Sequence, residues 1–122
     1  MPLIKIESLE TYKDQDAAIN NIINLAAEKT AFAKDRLIIK WDVTNNSLLY
    51  RKGNKINGSN DESNIIIINL TLSKRNSRSD TEDLVKEIVN SLSKTLKLKA
   101  SNFCVVINHM DEGDLFVNGQ FI

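Results

Sequence analysis

The chain of 122 residues holds one cysteine, one proline, one histidine, one tryptophan and only four glycines. The lone Cys104 cannot close an internal disulfide, which agrees with a reducing compartment. With one histidine and one cysteine, no metal-ligand motif is visible in the sequence. No glycine-rich phosphate loop and no catalytic-triad spacing occur, so neither a metal nor another cofactor is expected. No sign of charge prevails, because 16 Lys and Arg balance 16 Asp and Glu. A neutral chain lacks the broad positive field that draws proteins to phosphate backbones, which argues against nucleic acid as a partner. The longest apolar run, residues 65–68, is far too short to span a bilayer, and the first residues carry no apolar signal segment. A cytoplasmic address without membrane attachment is the expectation.

What is present suits one globular domain: 42% hydrophobic and 26% charged residues are ordinary values for a folded core. The opening Pro2-Leu3-Ile4-Lys5-Ile6-Glu7 alternates as a strand does. From about Asp14 the period changes, and Ile19, Ile22, Ile23, Ala26 and Ala27 form a helical stripe. Lys29 and Lys34 near its end suit the negative helix pole. Residues 37–43 read as a second strand. Residues 51–63, with Gly53, Gly58 and several Asn and Ser, read as an exposed connector.

The order then repeats. Residues 64–72 read as a strand containing four consecutive isoleucines, and Ser79-Asp80-Thr81-Glu82 matches a capping box. The following helix places Leu84, Val85, Ile88, Val89, Leu92 and Leu96 on one side, and residues 103–107 form the fourth strand. Asn118-Gly119 offers a tight turn between Phe116-Val117 and Phe121-Ile122. The division is a first β-α-β unit over about 1–50, a connector over about 51–63, and a second unit over about 64–122, all in one domain. The halves share a pattern and almost no identical residues.

Two such units give an α+β fold, a four-stranded mixed sheet with both helices on one face. Isoleucines pointing both ways imply a strand covered on both sides. The chain's own helices cover one side, so a partner subunit is expected on the other. Leaving several isoleucines in water would forgo about 1.5–3 kcal/mol each. A ferredoxin-like domain uses the same element order with a sheet that is antiparallel throughout, and strand order separates the two.

Arg78-Ser79-Asp80 before an amphipathic helix, then Ser101 to Met110, Gly113 and the Phe116-Val117-Asn118-Gly119 ending resemble the 4-oxalocrotonate tautomerase family. Met1-Pro2-Leu3-Ile4-Lys5-Ile6 resembles the start of the same family. The length is similar to that of fused members, which carry two β-α-β units per chain and form trimers, and the ending is similar to a subgroup with an Asn-Gly-X-aromatic hairpin. The resemblance implies a tautomerase-like fold, a homo-oligomer with the trimer preferred, and cofactor-independent isomerisation of a small keto or enol acid.

That resemblance gives Pro2 the part of general base. Removing Met1 would expose a secondary amine; an α-amino group titrates near ~7.7–8.0, and burial or a neighbouring cation would lower that value. With Met1 retained, Pro2 is an amide and no base. A small-molecule carboxylate also needs cations. Arg78 matches a family arginine but stands in the second half, which begins internally without a free proline and so suggests a vestigial pocket. The corresponding place in the first half falls near Tyr12 or Lys13, and a second family arginine maps near Leu37, flanked by Arg36 and Lys40. Lys13, Arg36, Lys40 and Arg78 are therefore the substrate-binding candidates, each with a solvated surface charge as the plain alternative. Leu115 or Phe116 fits the place of a pocket-wall aromatic, although either also suits a hairpin core. His109 is more simply a strand-end polar residue than a proton carrier, Trp41 a packing residue and Cys104 a small buried hydrophobe. A non-catalytic oligomer or binding module of the same fold is the competing function.

Overall fold

The computed structural model describes residues 2–45, 47–58 and 60–122. The chain runs through β1 (Leu3–Ser8), α1 (Gln15–Lys29), a 3-10 turn at Lys34–Arg36, β2 (Ile38–Val43), β3 (Tyr50–Arg51) and β4 (Asn54–Lys55). It continues through β5 (Ile66–Ser73), α2 (Arg78–Leu96), a 3-10 turn at Ala100–Asn102, β6 (Phe103–Met110), β7 (Phe116–Val117) and β8 (Gln120–Phe121). Four strands form one sheet in the order β2-β1-β5-β6. The pairs β1·β2 and β5·β6 are parallel, while β1·β5 is antiparallel, with Ile6 opposite Ile68 and Ile4 opposite Leu70. A sheet that is antiparallel throughout is thereby excluded, and the ferredoxin-like alternative with it.

Alternation explains where the core sits. Ile4 and Ile6 of β1 and Ile66, Ile68, Leu70 and Leu72 of β5 point under the helices and are buried. Ala18, Ile22 and Ala26 of α1 and Leu84, Ile88 and Leu92 of α2 meet them from above. The stripe on α1 is thus turned slightly from the expected one, with Ala18 buried and Ala27 exposed. Small residues at 18 and 26 let α1 lie close to the sheet and to α2, which Asn21 reaches through a hydrogen bond from Nδ2 to Thr95 Oγ1 of 3.1 Å.

The α2 cap lies two residues before the expected one. Ser77 is the N-cap, its Oγ accepting from the Asp80 amide at 3.0 Å, and its carbonyl accepts from Thr81 Oγ1. The expected Ser79 box fails because Ser79 already sits inside the first turn, where Arg78 has helical geometry.

One expectation holds and one changes at the open sheet face. The isoleucines point both ways as expected: Ile66 and Ile68 face the helices, and Ile67 shares the open face with Lys5, Glu7, Lys40, Asn69 and Thr71. Apolar patches remain at Ile38, 42% exposed, and Val106, 43% exposed. Cys104 is exposed on the edge strand β6 rather than buried, because its parity puts it opposite Ile67 on that open face.

The stretch 51–63 is also more structured than a plain connector. Tyr50–Arg51 and Asn54–Lys55 pair as a hairpin, and Ile56 behind it is 3% exposed. Its turn, Lys52 at φ 54° and Gly53 at φ 81°, matches Asn118 at φ 55° and Gly119 at φ 79° in the β7–β8 hairpin. Each half is therefore strand, helix, strand, hairpin. Lysine is a poor signal for the left-handed region, where asparagine and glycine are favoured, so only the second hairpin was visible in the letters.

One buried group in α2 lacks compensation. Ser91 Oγ, in a residue 3% exposed, has no hydrogen-bond partner among the described residues, whereas Ser93 Oγ donates to the Leu98 carbonyl beyond the helix end. Ser91→Ala removes an uncompensated polar atom worth about 1 kcal/mol, and thermal melting should rise by about 3–6 °C. Ser93→Ala, with the same change in helix propensity, should lower it. Melting curves of the two variants side by side check the contrast.

Candidate functional site

The antiparallel β1·β5 junction decides which residues share an end of the sheet. The start of β1, the start of β2, the ends of β5 and β6, the start of α2 and the β7–β8 hairpin gather at one pole. Pro2 stands there. Its carbonyl accepts from the Ile38 amide at 3.1 Å, its side chain is fully buried, and the β1·β5 register carried one residue further sets it opposite Leu72. The ring falls on the helix face because residue 2 has the parity of Ile4 and Ile6. Met1 lies outside the described residues.

Arg78 opens α2 at this pole. It stands in the second half yet beside the Pro2 end, because the halves run in opposite directions. Its Nε donates to Glu82 Oε1 at 3.0 Å, one turn along the helix, and its side chain is 70% exposed. Arg36 is exposed in the 3-10 turn two residues before Ile38. Phe116 is here too, 61% exposed and packed edge-to-face on Phe121 with centroids 5.0 Å apart. Lys40 lies inside the sheet, exposed on its open face opposite Lys5 and 3.7 Å from Asp42. Lys13 follows β1 and stands at the other pole, a strand length of ~20 Å away.

Two cations at the Pro2 pole escaped the sequence reading. Lys74 and Arg75 sit in the loop between β5 and α2, facing the acidic loop after β6. Lys74 Nζ is 2.7 Å from Asp111, and Arg75 Nη1 is 3.7 Å from Glu112. The hydrogen bond from Lys74 to Asp111, and the charge of that carboxylate, raise the lysine's pKa above its ordinary value. A cluster of three bases around a helix cap, Lys74 and Arg75 before Ser77 and Arg78 after it, was the available signal.

The opposite pole is built differently. Tyr12 Oη accepts from Asn64 Nδ2 at 2.9 Å, and its ring lies 6.3 Å from that of Trp41. Trp41 Nε1 donates to Ser8 Oγ at 2.9 Å, and Asn102 Nδ2 donates to the Asn64 carbonyl at 2.8 Å. Trp41 is therefore a packing and hydrogen-bonding residue. Asn64 and Ile65 take the place in the second half that Pro2 takes in the first, without an imino nitrogen. His109, the second last residue of β6, is exposed.

With this geometry in view, comparison is informative. The family model described as tautomerase enzyme matches residues 65–122. A member of the cis-3-chloroacrylic acid dehalogenase family superposes with a TM-score of 0.80 at 12% identity, over 98% of this chain and 82% of that one. This chain carries the tautomerase-superfamily fold. A fused 4-OT solved as an asymmetric trimer gives a TM-score of 0.79 at 11% identity, covering 98% of this chain and 94% of that one. The MIF2 protein of Leishmania major gives 0.73 at 11% identity, with coverage of 100% and 97%. No curated protein matches the sequence. In this tautomerase-fold chain the family match falls on the second half, while Pro2 belongs to the first.

Burial chiefly, with the Glu10 charge adding and the Asn64 hydrogen bond opposing, raises the Tyr12 pKa above the ordinary value of 10.0. A phenol protonated longer in the folded chain than in the unfolded one contributes stability that is whole below the unfolded pKa. That stability is lost as pH climbs through the folded value. In an ultraviolet titration of phenolate absorbance, the step missing from Tyr12→Phe should lie above pH 10. Unfolding by denaturant should become easier over the same range in wild type and not in the variant.

Proposed function

We propose that this protein is a cofactor-independent tautomerase that moves a proton on a small keto or enol acid, with Pro2 as general base once Met1 is removed. The observation that carries the reading is the burial of Pro2 at a pole shared with Arg78 and Arg36. A buried secondary amine next to cations loses protonated form at neutral pH, since both desolvation and positive charge disfavour the ammonium. Such a nitrogen can take a proton from carbon beside a carbonyl and return it to another atom of the same molecule. Arg78, which can leave its helical partner Glu82, and Arg36 are the residues to receive the substrate carboxylate. Phe116 is the candidate wall, and Lys40 fits only a substrate reaching the open sheet face. Lys13 belongs to the other pole and is the weakest of the set.

The same reading includes assembly and address. The patches at Ile38 and Val106 on the open face, and the exposed rings of the hairpins, suit a homo-oligomer, with the trimer preferred by likeness to a fused 4-OT described as a trimer. Among the described residues no helix is long and apolar enough to cross a membrane, and the cytoplasm suits a chain with one cysteine. A non-catalytic oligomer of this fold is the competing reading, favoured by the ion pairs that already occupy Arg78 and Arg75.

Mass spectrometry of soluble protein should find Met1 removed. Pro2→Ala should slow ketonisation of a simple enol pyruvate by about 10²–10⁴, the usual worth of a positioned acid-base group. Full activity in that variant, or Met1 retained throughout the native protein, would end the proposal.

A further inference from the structure

The same dipeptide occurs twice in this chain, as Asn57-Gly58 and as Asn118-Gly119. Asparagine before glycine is the pair most open to intramolecular attack, because glycine has no side chain to hinder the approach of its amide nitrogen. Both pairs follow a β-branched residue, Ile56 and Val117. Local sequence therefore gives them nearly equal reactivity, and the fold decides between them.

Asn57-Gly58 is clamped. The Asn57 amide donates to Asp61 Oδ2 at 3.2 Å, and the Gly58 carbonyl accepts from the Asp61 amide at 3.2 Å. The peptide between the two residues is thus tied down on both sides. Gly58 has φ 145°, and Glu10 Oε1 lies 2.7 Å from where a side chain at Gly58 would begin. Two carboxylates stand beside a nitrogen that must lose its proton to react, and like charge disfavours that anion. Asn118-Gly119 is placed differently. Both residues are exposed. Apart from chain neighbours, no heavy atom of the described residues lies within 4 Å of the corresponding point at Gly119. No charged residue occurs from Leu115 to Phe121. Two register pairs, Phe116 with Phe121 and Val117 with Gln120, make up the ribbon, and a ribbon so short is marginal and opens at little cost.

We propose that Asn118-Gly119 is a site of spontaneous deamidation in the folded protein, while the fold shields Asn57-Gly58. The Gly119 amide nitrogen, having lost its proton to solvent, bonds to Asn118 Cγ. The Cγ–Nδ2 bond breaks and ammonia leaves with a proton returned from solvent. Water then opens the cyclic imide at either carbonyl and leaves aspartate or isoaspartate at position 118. Either product adds one negative charge to a chain whose charges balance. Isoaspartate also lengthens the backbone by one carbon inside a two-residue turn. The Val117–Gln120 pairing and the Phe116–Phe121 edge contact at 5.0 Å cannot then both be kept. The hairpin at the Pro2 pole ages in this way whether or not any turnover takes place there.

The test is incubation of the full chain at mildly alkaline pH, folded and in guanidinium chloride, followed by pepsin digestion at acid pH, where the reaction is frozen. Mass spectrometry follows the conversion of amide to acid at each site. In denaturant the two sites should convert at similar rates. In the folded protein Asn118 should convert at least about fivefold faster than Asn57, the rate equivalent of one like charge at contact distance in water. An isoaspartyl methyltransferase should label the peptide that carries position 118. Asn118→Ser should lose both signals and leave the Asn57 rate unchanged. Equal rates in the folded protein, or a ratio that does not rise on folding, would overturn the proposal.

Discussion

The antiparallel pairing of β1 with β5 is the contact on which the rest depends. Each half is by itself a parallel pair with one helix, a unit too small to bury its own apolar face. Joined through Ile4, Ile6, Ile68 and Leu70, the halves share one core, and the two inner strands gain neighbours on both edges. The junction also lays α1 and α2 antiparallel over one face and exchanges the ends of the halves. Residues that follow the strand of the second half thereby stand beside the beginning of the first.

That exchange produces two unlike poles from one repeated plan. At one, a buried proline meets a basic loop and an acidic loop that partly neutralise each other across a cleft. At the other, tyrosine, tryptophan, serine and asparagines close a hydrogen-bonded network around the start of β5. The first arrangement keeps its paired charges exposed to solvent. The second satisfies its buried polar atoms internally, as a structural joint requires. Chemistry is therefore sought at the Pro2 pole, and the Tyr12 pole is read as the brace that holds the second half in place.

Much of the fold was legible in the letters. Alternation marked the first strand and short apolar runs the other three long ones, a change to helical period marked both helices, and Asn118-Gly119 marked the last hairpin, because burial and turn geometry leave these patterns in the letters. The first hairpin was hidden, since Lys52-Gly53 carries a weaker turn signal than Asn-Gly. Cys104 was read as buried and is exposed, because a run of apolar letters does not say which side the chain's own helices cover.

The site was legible in type but not in grouping. Pro2, Arg78 and Phe116 were singled out as residues, yet Arg78 was set apart from Pro2 for standing in the other half, and Lys13 was set near it for standing in the same one. Sequence alone determined the two units, their elements and the inward-facing side chains, since local periodicity records the solvent each residue meets. Only the tertiary structure decided that the units meet head to tail, since strand direction depends on hydrogen bonds between segments more than sixty residues apart. That one choice moved Lys13 away, brought Lys74 and Arg75 in, and set a cationic loop beside the buried proline.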